Sequence, residues 1–151
     1  MSDVYTLNLL LETMWKVPGT NHVEIFPIKK MKAQRLLYIY SCEYIKKYGE
    51  LPGQPFTVSA YGPYHPFIND MYSGAYIESY CCAKGNQSFL SGDRVIMENV
   101  IQSFGEINHI SLSNLLRKEG SAWDIAFQNE ERIIDPEDMK NDDSYVDLLI
   151  G

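Results

Sequence analysis

Between Gly49 and Pro66 the chain places four prolines (Pro52, Pro55, Pro63, Pro66) and the glycines Gly53 and Gly62. No helix can run through such a stretch. Each proline lacks the N–H that a helix interior needs, and its ring clashes with the preceding turn. The segment is therefore a structured loop, with a short strand expected at Phe56–Ala60. It divides the chain into two helical parts. Upstream, the spacing of Met31, Leu37, Tyr38, Ile45 and Tyr48 predicts a helix over about 29–48, closed by Gly49 as its C′ residue. Before it, Ser2 caps an expected helix over 3–15, with Val4, Leu7, Leu10, Leu11 and Met14 on one face and Pro18-Gly19 ending it.

Downstream, Pro66 can open a short helix reaching Met71 or Tyr72. Ala75–Ala83 alternates weakly and predicts a strand paired with Ser88–Leu90 across Gly85-Asn86. Ser91 is expected to cap a helix over 92–104, with Val95, Val100, Ile101 and Phe104 inward. Ser111 is expected to cap one over 112–119, and Ser121 one over 122–129 carrying Trp123, Ala126 and Phe127. Asp135-Pro136 reads as an N-cap followed by proline at the first helical position. The expected fold is mainly α with a minor hairpin: a compact helical bundle of about six to seven helices. The helical domain is drawn over 1–140 and an acidic C-terminal tail over 141–151, with Tyr145–Ile150 apolar enough to dock.

Charge sharpens this division. The 151 residues carry a net charge of −7. Residues 1–129 hold 11 basic and 12 acidic side chains, whereas 130–151 hold 2 and 8. A general nucleic-acid binder needs a positive footprint to release counterions, so direct nucleic-acid binding is disfavoured. Anionic membrane surfaces are disfavoured for the same reason. No stretch approaches the length of a membrane span, and the first residues have no basic leader region. Cys42, Cys81 and Cys82 read as reduced thiols, which fits a cytoplasmic protein.

Catalytic and cofactor signatures are missing. His22, His65 and His109 lie apart from one another and from the cysteines, so no metal-ligand spacing exists. No glycine-rich phosphate cradle is present, and no cofactor is implied. The carboxylate pairs Glu130-Glu131, Glu137-Asp138 and Asp142-Asp143 are adjacent in sequence, so they read as a solvated acidic surface. An enzyme would need His65, beside Tyr64, as a general base, and nothing supplies its partners.

Two features point to binding instead. Six of thirteen cations lie between 29 and 47, and Lys32 and Arg35 can share an outer helix face. That face either serves a partner, is simply solvated, or is covered by the oppositely charged tail. Nine of eleven tyrosines fall between 38 and 80. They build either a tyrosine-rich core or an interface, where tyrosine is favoured for its apolar area and polar tip.

Three stretches in consistent order carry a resemblance. Lys32-Ala33-Gln34-Arg35-Leu36-Leu37-Tyr38 resembles the K-L-Q-K-L-L-Y stretch of the Panacea (SocA-like) antitoxin domain, a family also met in phage-associated GepA-type proteins. Gly49-Glu50-Leu51-Pro52 follows, and then Tyr61-Gly62-Pro63, which is similar to the family's Y-G-P signature, with Pro66 after it. Leu115 and Trp123-Asp124-Ile125-Ala126 resemble its C-terminal L…W-x-x-A. Ala33 stands where the family has leucine, and Ser59 where it often has an aromatic residue.

The resemblance implies a binding protein rather than an enzyme. It would neutralise a cognate toxin by stoichiometric association, and one member type acts as an adaptor handing its toxin to a protease. The partner surface expected on that basis comprises Lys32, Arg35, Tyr61, Tyr64, His65, Tyr72 and Tyr76, with Gln34, Leu37, Gly62, Pro63 and Trp123 as structural motif residues. The alternative is a phage or mobile-element protein that inhibits a host defence nuclease through its acidic surface.

Overall fold

The computed structural model describes residues 30–66, 72–73, 76–77 and 93–149. Helix α1 (Lys30–Tyr48) is followed by strands β1 (Thr57–Ser59), β2 (Gly62–Tyr64), β3 (Tyr72–Ser73) and β4 (Tyr76–Ile77). Helices α2 (Arg94–Phe104), α3 (His109–Leu116), α4 (Ala122–Gln128) and α5 (Pro136–Lys140) complete the body, with a 3-10 turn at Val146–Leu148. The fold is mainly α with small antiparallel hairpins. Five α-helices stand among the described residues, fewer than the six to seven expected. The helix expected over 3–15 lies outside the described residues.

Helix α1 is the centre of the molecule. It packs against α2, α3, α5 and β2. All ten residues from Ala33 to Cys42 are buried, so the helix has no outer face along that stretch. The amphipathic reading is corrected here, and the reason is local chemistry. Gln34, Arg35 and Ser41 are polar yet buried because neighbouring elements surround the helix on every side. Gly49 adopts φ +84° and donates its N–H to the Ile45 carbonyl at 2.8 Å, which ends the helix as its sequence position implied. Tyr48, expected on the apolar face, is half exposed and donates its hydroxyl to Asp93 at 2.6 Å.

Two expected caps moved. Asp93, not Ser91, caps α2, accepting from the Ile96 N–H at 3.0 Å. The same carboxylate accepts from Lys47 Nζ at 2.8 Å, so one side chain both starts α2 and binds it to the end of α1. With the start at Arg94, Val95 faces outward rather than inward. Asn108, not Ser111, caps α3, accepting from the Ser111 N–H itself at 2.9 Å. Ser121 and Asp135-Pro136 cap α4 and α5 as the sequence implied.

Strands β1 and β2 form a hairpin with Thr57 opposite Tyr64 and Ser59 opposite Gly62. The chain after α4 returns along the other edge of β1. There Val58 donates its N–H to the Arg132 carbonyl at 2.8 Å, and Ile134 donates to the Phe56 carbonyl at 2.9 Å. The second hairpin pairs Tyr72 with Ile77 and Ser73 with Tyr76. Tyr76–Ile77 falls within the strand expected over Ala75–Ala83, and Tyr72, a possible end of the expected short helix, is extended. The expected partner strand at Ser88–Leu90 lies outside the described residues.

The C-terminal segment is part of the body. Asp142, Ser144 and Tyr145 are buried. Asp142 accepts from the Tyr38 hydroxyl at 2.7 Å and from the Ser144 N–H at 2.9 Å. Lys46 donates to the Asp142 carbonyl at 2.7 Å and to the Tyr145 hydroxyl at 2.8 Å, with its ammonium 4.7 Å from the Tyr145 ring centre. Tyr145 in turn donates to Glu43 at 2.5 Å. The acidic segment expected over 141–151 is thus, over its described residues 141–149, docked on the last turns of α1.

This burial has a pH consequence. Burial pushes the Tyr38 hydroxyl well above its ordinary value, helped by the neighbouring Cys42 and Asp142. Burial likewise pushes Tyr40 up to about 12, and raises Tyr145 beside Cys42 and Glu43. An unfolded phenol ionises near pH ~10, whereas these three keep their protons above it. The unfolded state therefore releases protons first, and stability falls as pH rises past that point. Alkaline titration should show exposed tyrosinate appearing with helicity intact, then a second rise in tyrosinate absorbance coincident with loss of far-UV circular dichroism. Full tyrosine ionisation of a still helical protein would contradict it.

Candidate protein-binding face

The Tyr61-Gly62-Pro63 turn is built on a buried cation. Arg35 sits on the central helix with its side chain fully buried. Its guanidinium reaches three acceptors: Nε donates to Ser113 Oγ at 2.7 Å, Nη1 to the Pro63 carbonyl at 2.5 Å and Nη2 to the Tyr61 carbonyl at 2.9 Å. Among the described residues no carboxylate pairs with it. Carbonyl dipoles and one hydroxyl compensate its charge instead. Burial, and then the nearby Arg117 charge, lower its pKa to about 10. That shift acts on alkaline stability against the three buried phenols, one group against three.

The same capture extends along the hairpin. Trp123 Nε1 donates to the Ser59 carbonyl at 2.8 Å, and Arg117 Nη1 to the Ala60 carbonyl at 3.0 Å. Ser59 Oγ donates to the Gly62 carbonyl at 2.8 Å, and Thr57 Oγ1 to the Tyr64 carbonyl at 2.9 Å. Gln34 Nε2 donates to the His65 carbonyl at 3.0 Å, while the His65 N–H donates back to Gln34 Oε1 at 2.7 Å. Every carbonyl from Ser59 to His65 thus accepts from a side chain, and four of the donor residues come from α1, α4 or the C-cap of α3. A loop held this way has little backbone freedom.

Gly62 is required by this geometry. Its φ is +134°, and a Cβ there would lie 3.2 Å from Arg35 Cζ. Tyr61, one residue earlier, projects from the tip with 68% of its surface exposed. A rigid backbone therefore presents a large amphipathic side chain to solvent.

The expected site residues separate into four groups. Gln34, Arg35, Tyr61, Gly62, Pro63, His65 and Trp123 converge on the hairpin, with Tyr64 half-buried in β2. Arg35, expected on an exposed outer face, is instead the buried clamp beneath the turn, and its donors are consumed inside the protein. His65 is also buried, its ring edge-on to Phe56 at 5.0 Å, so packing and not solvent surrounds it. Lys32 lies elsewhere and donates to the Ile107 carbonyl. Tyr72 and Tyr76 lie in the two strands of the other hairpin. Leu37 is in the core.

Trp123 is nearly buried and stacks on Phe127, with ring centres 4.8 Å apart and planes 10° from parallel. Phe127 is half exposed as the outer ring of that stack. Sequence reasoning missed Ser113 and Arg117. They stand 78 and 57 residues from the groups they bind, and no local pattern marks them. Among the described residues no helix is long and apolar enough to cross a membrane, and no group of three or more His, Cys, Asp or Glu is placed to hold a metal ion.

No family model matches the chain, and no curated protein or solved structure matches it either.

The clamp makes a stability prediction. Gly62→Ala places a side chain in a left-handed backbone against the guanidinium and should cost about 2–3 kcal/mol. Arg35→Met leaves the Tyr61 and Pro63 carbonyls without donors in a buried setting and should cost about 3 kcal/mol. Tyr61→Ala, at an exposed tip, should stay within about 0.5 kcal/mol of wild type. Urea unfolding followed by circular dichroism checks all three. A neutral Gly62→Ala would contradict the clamp.

Proposed function

We propose that this chain is an antitoxin-like binding protein that neutralises a cognate toxin by stoichiometric association. In the adaptor form of that activity it would also hand the toxin to a protease. The observation that carries the reading is Tyr61 held exposed on a backbone whose carbonyls are all captured. Preordering lowers the entropy lost on association, and tyrosine is favoured among residues that dominate binding energy. The motif resemblance points the same way, since Tyr61-Gly62-Pro63 and Arg35 form one unit. The half-exposed Phe127 ring, at the foot of the hairpin beside Val58, extends the apolar part of the face.

A second reading has its own support. Glu130, Glu131, Asp135, Glu137, Asp143 and Asp147 are exposed, and Asp138 is held above its ordinary value by burial and then by Asp135 and Glu137. Such a surface can occupy the basic groove of a nuclease in place of a phosphate backbone.

Co-expression with the product of the neighbouring gene separates the two readings. The antitoxin reading expects restored growth, a co-purifying complex, and affinity reduced roughly tenfold or more by Tyr61→Ala. No complex and no rescue would overturn it. The acidic-mimic reading expects binding to fall steeply with salt and with Asp143→Asn plus Asp147→Asn. These exposed substitutions replace a deletion of the C-terminal segment, which would remove the buried Asp142 and Tyr145 and unfold the body.

A further inference from the structure

Among the described residues the far edge of the small sheet is unpaired. Ile133 stands opposite Thr57, flanked by the bonds from Val58 to Arg132 and from Ile134 to Phe56. In an antiparallel ladder a residue between two such bonds turns its own N–H and C=O to the opposite edge. Among the described residues nothing bonds to either group, and the Ile133 side chain is half exposed. An edge of this kind is a template for another strand.

Next to it lies an open groove of about 580 Å³ lined by Val58, Phe127, Glu130, Glu131 and Arg132. Its rim comes from an unusual helix end. The Glu131 N–H donates to the Ala126 carbonyl at 2.8 Å and the Glu130 N–H to the Phe127 carbonyl at 3.1 Å. That is the bonding of a Schellman cap, in which the C′ residue is left-handed and usually glycine. Here the residue is Glu130, with φ +57°. A carboxylate thus occupies the one position where glycine would relax the backbone. Strain of this kind persists where the side chain serves a purpose.

We propose that the edge and groove take an extended, cation-bearing segment of a protein partner, added as a strand beside Ile133. The residue opposite Ile133 would exchange two backbone hydrogen bonds with it. Apolar side chains of the segment would lie over Phe127 and Val58, and its cations would meet Glu130 and Glu131. Arg132 also lines the groove, so its carboxylates outnumber its cation two to one. Exposed Asp135 and Glu137 extend the negative field beyond it. Charge therefore selects a lysine- or arginine-bearing segment over an acidic one. The inference rests on the reading of this chain as a protein-binding protein and names the chemistry of what it binds.

The test uses the whole chain, nuclear magnetic resonance and three blocked hexapeptides. One alternates valine with lysine, one alternates valine with glutamate, and one is the lysine peptide N-methylated on the amides that face the edge. The lysine peptide should bind and slow hydrogen exchange of the Ile133 amide by about tenfold or more. The glutamate and N-methylated peptides should not. Glu130→Gln with Glu131→Gln should weaken the lysine peptide by roughly fivefold. Glu130→Gly should raise the thermal midpoint by relieving the backbone while weakening the same peptide.

Equal binding of the lysine and glutamate peptides, an unprotected Ile133 amide, or indifference to N-methylation would each overturn the proposal. So would concentration-dependent self-association that protects Ile133 without peptide, which would make a second copy the occupant. Failed peptide binding with toxin rescue intact sinks the groove alone. Peptide binding with no toxin complex sustains the groove and sinks the antitoxin reading.

Discussion

A buried guanidinium held by two carbonyls and a hydroxyl organises this protein. Taking a cation out of water is costly, and it is tolerated only where each of its nitrogens finds an acceptor. Arg35 meets that condition with Ser113 and the carbonyls of Tyr61 and Pro63. The planar fork matters, because its nitrogens point at three acceptors on two different elements. An ammonium, as a compact charge on a flexible stem, could not hold the same turn. Once the fork is fixed, the turn above it must bring its carbonyls down and keep side-chain bulk away. Gly62 then follows from steric need, and Pro63, which has no N–H to satisfy, sits where only its carbonyl is used.

Two carboxylates do for the central helix what Arg35 does for the hairpin. Asp93 closes the gap between the end of α1 and the start of α2, receiving Lys47, Tyr48 and the Ile96 N–H. Asp142 brings the C-terminal segment onto α1 through Tyr38 and fixes its own turn through Ser144. Each gathers donors from more than one element, so each is an anchor of tertiary structure written as a polar residue. A helix can be buried on all sides with polar residues on it only when such partners exist.

Those partners explain what was legible in the sequence. Gly49, Ser121 and Asp135-Pro136 act on their own helix ends, within a few residues, and their positions read correctly. The strand at Thr57–Ser59 was visible because prolines and glycines bracket it. Asp93 prevailed over Ser91 because Lys47 and Tyr48, more than forty residues away, favour it as the cap. Arg35 read as an outer cation because its acceptors belong to loops and helices not yet adjacent in sequence. Val95, expected inward, is exposed for the same reason, since a helix's register against its neighbours is set by the neighbours. Tyr61-Gly62-Pro63 could be singled out by resemblance, but the need for Gly62 became physical only with the guanidinium beneath it.

The charge asymmetry takes on a different meaning in three dimensions. Residues 130–151 carry 8 acidic side chains, yet they form no detached tail. Asp142 is spent inside, and the exposed acids decorate the strand edge, α5 and the final turn. Beneath the same hairpin lie Arg35 and Arg117, with their donors turned onto backbone carbonyls. The small sheet therefore has Arg35 and Arg117 bound to its hairpin, while Glu130 and Glu131 outnumber Arg132 along its outer edge. A chain that is nearly neutral over its first 129 residues thus shows solvent a negative face beside the Ile133 edge. In the proposed strand addition, open backbone would supply affinity for any strand, whereas the surrounding carboxylates would discriminate among strands, so recognition would divide between two physically separate sources.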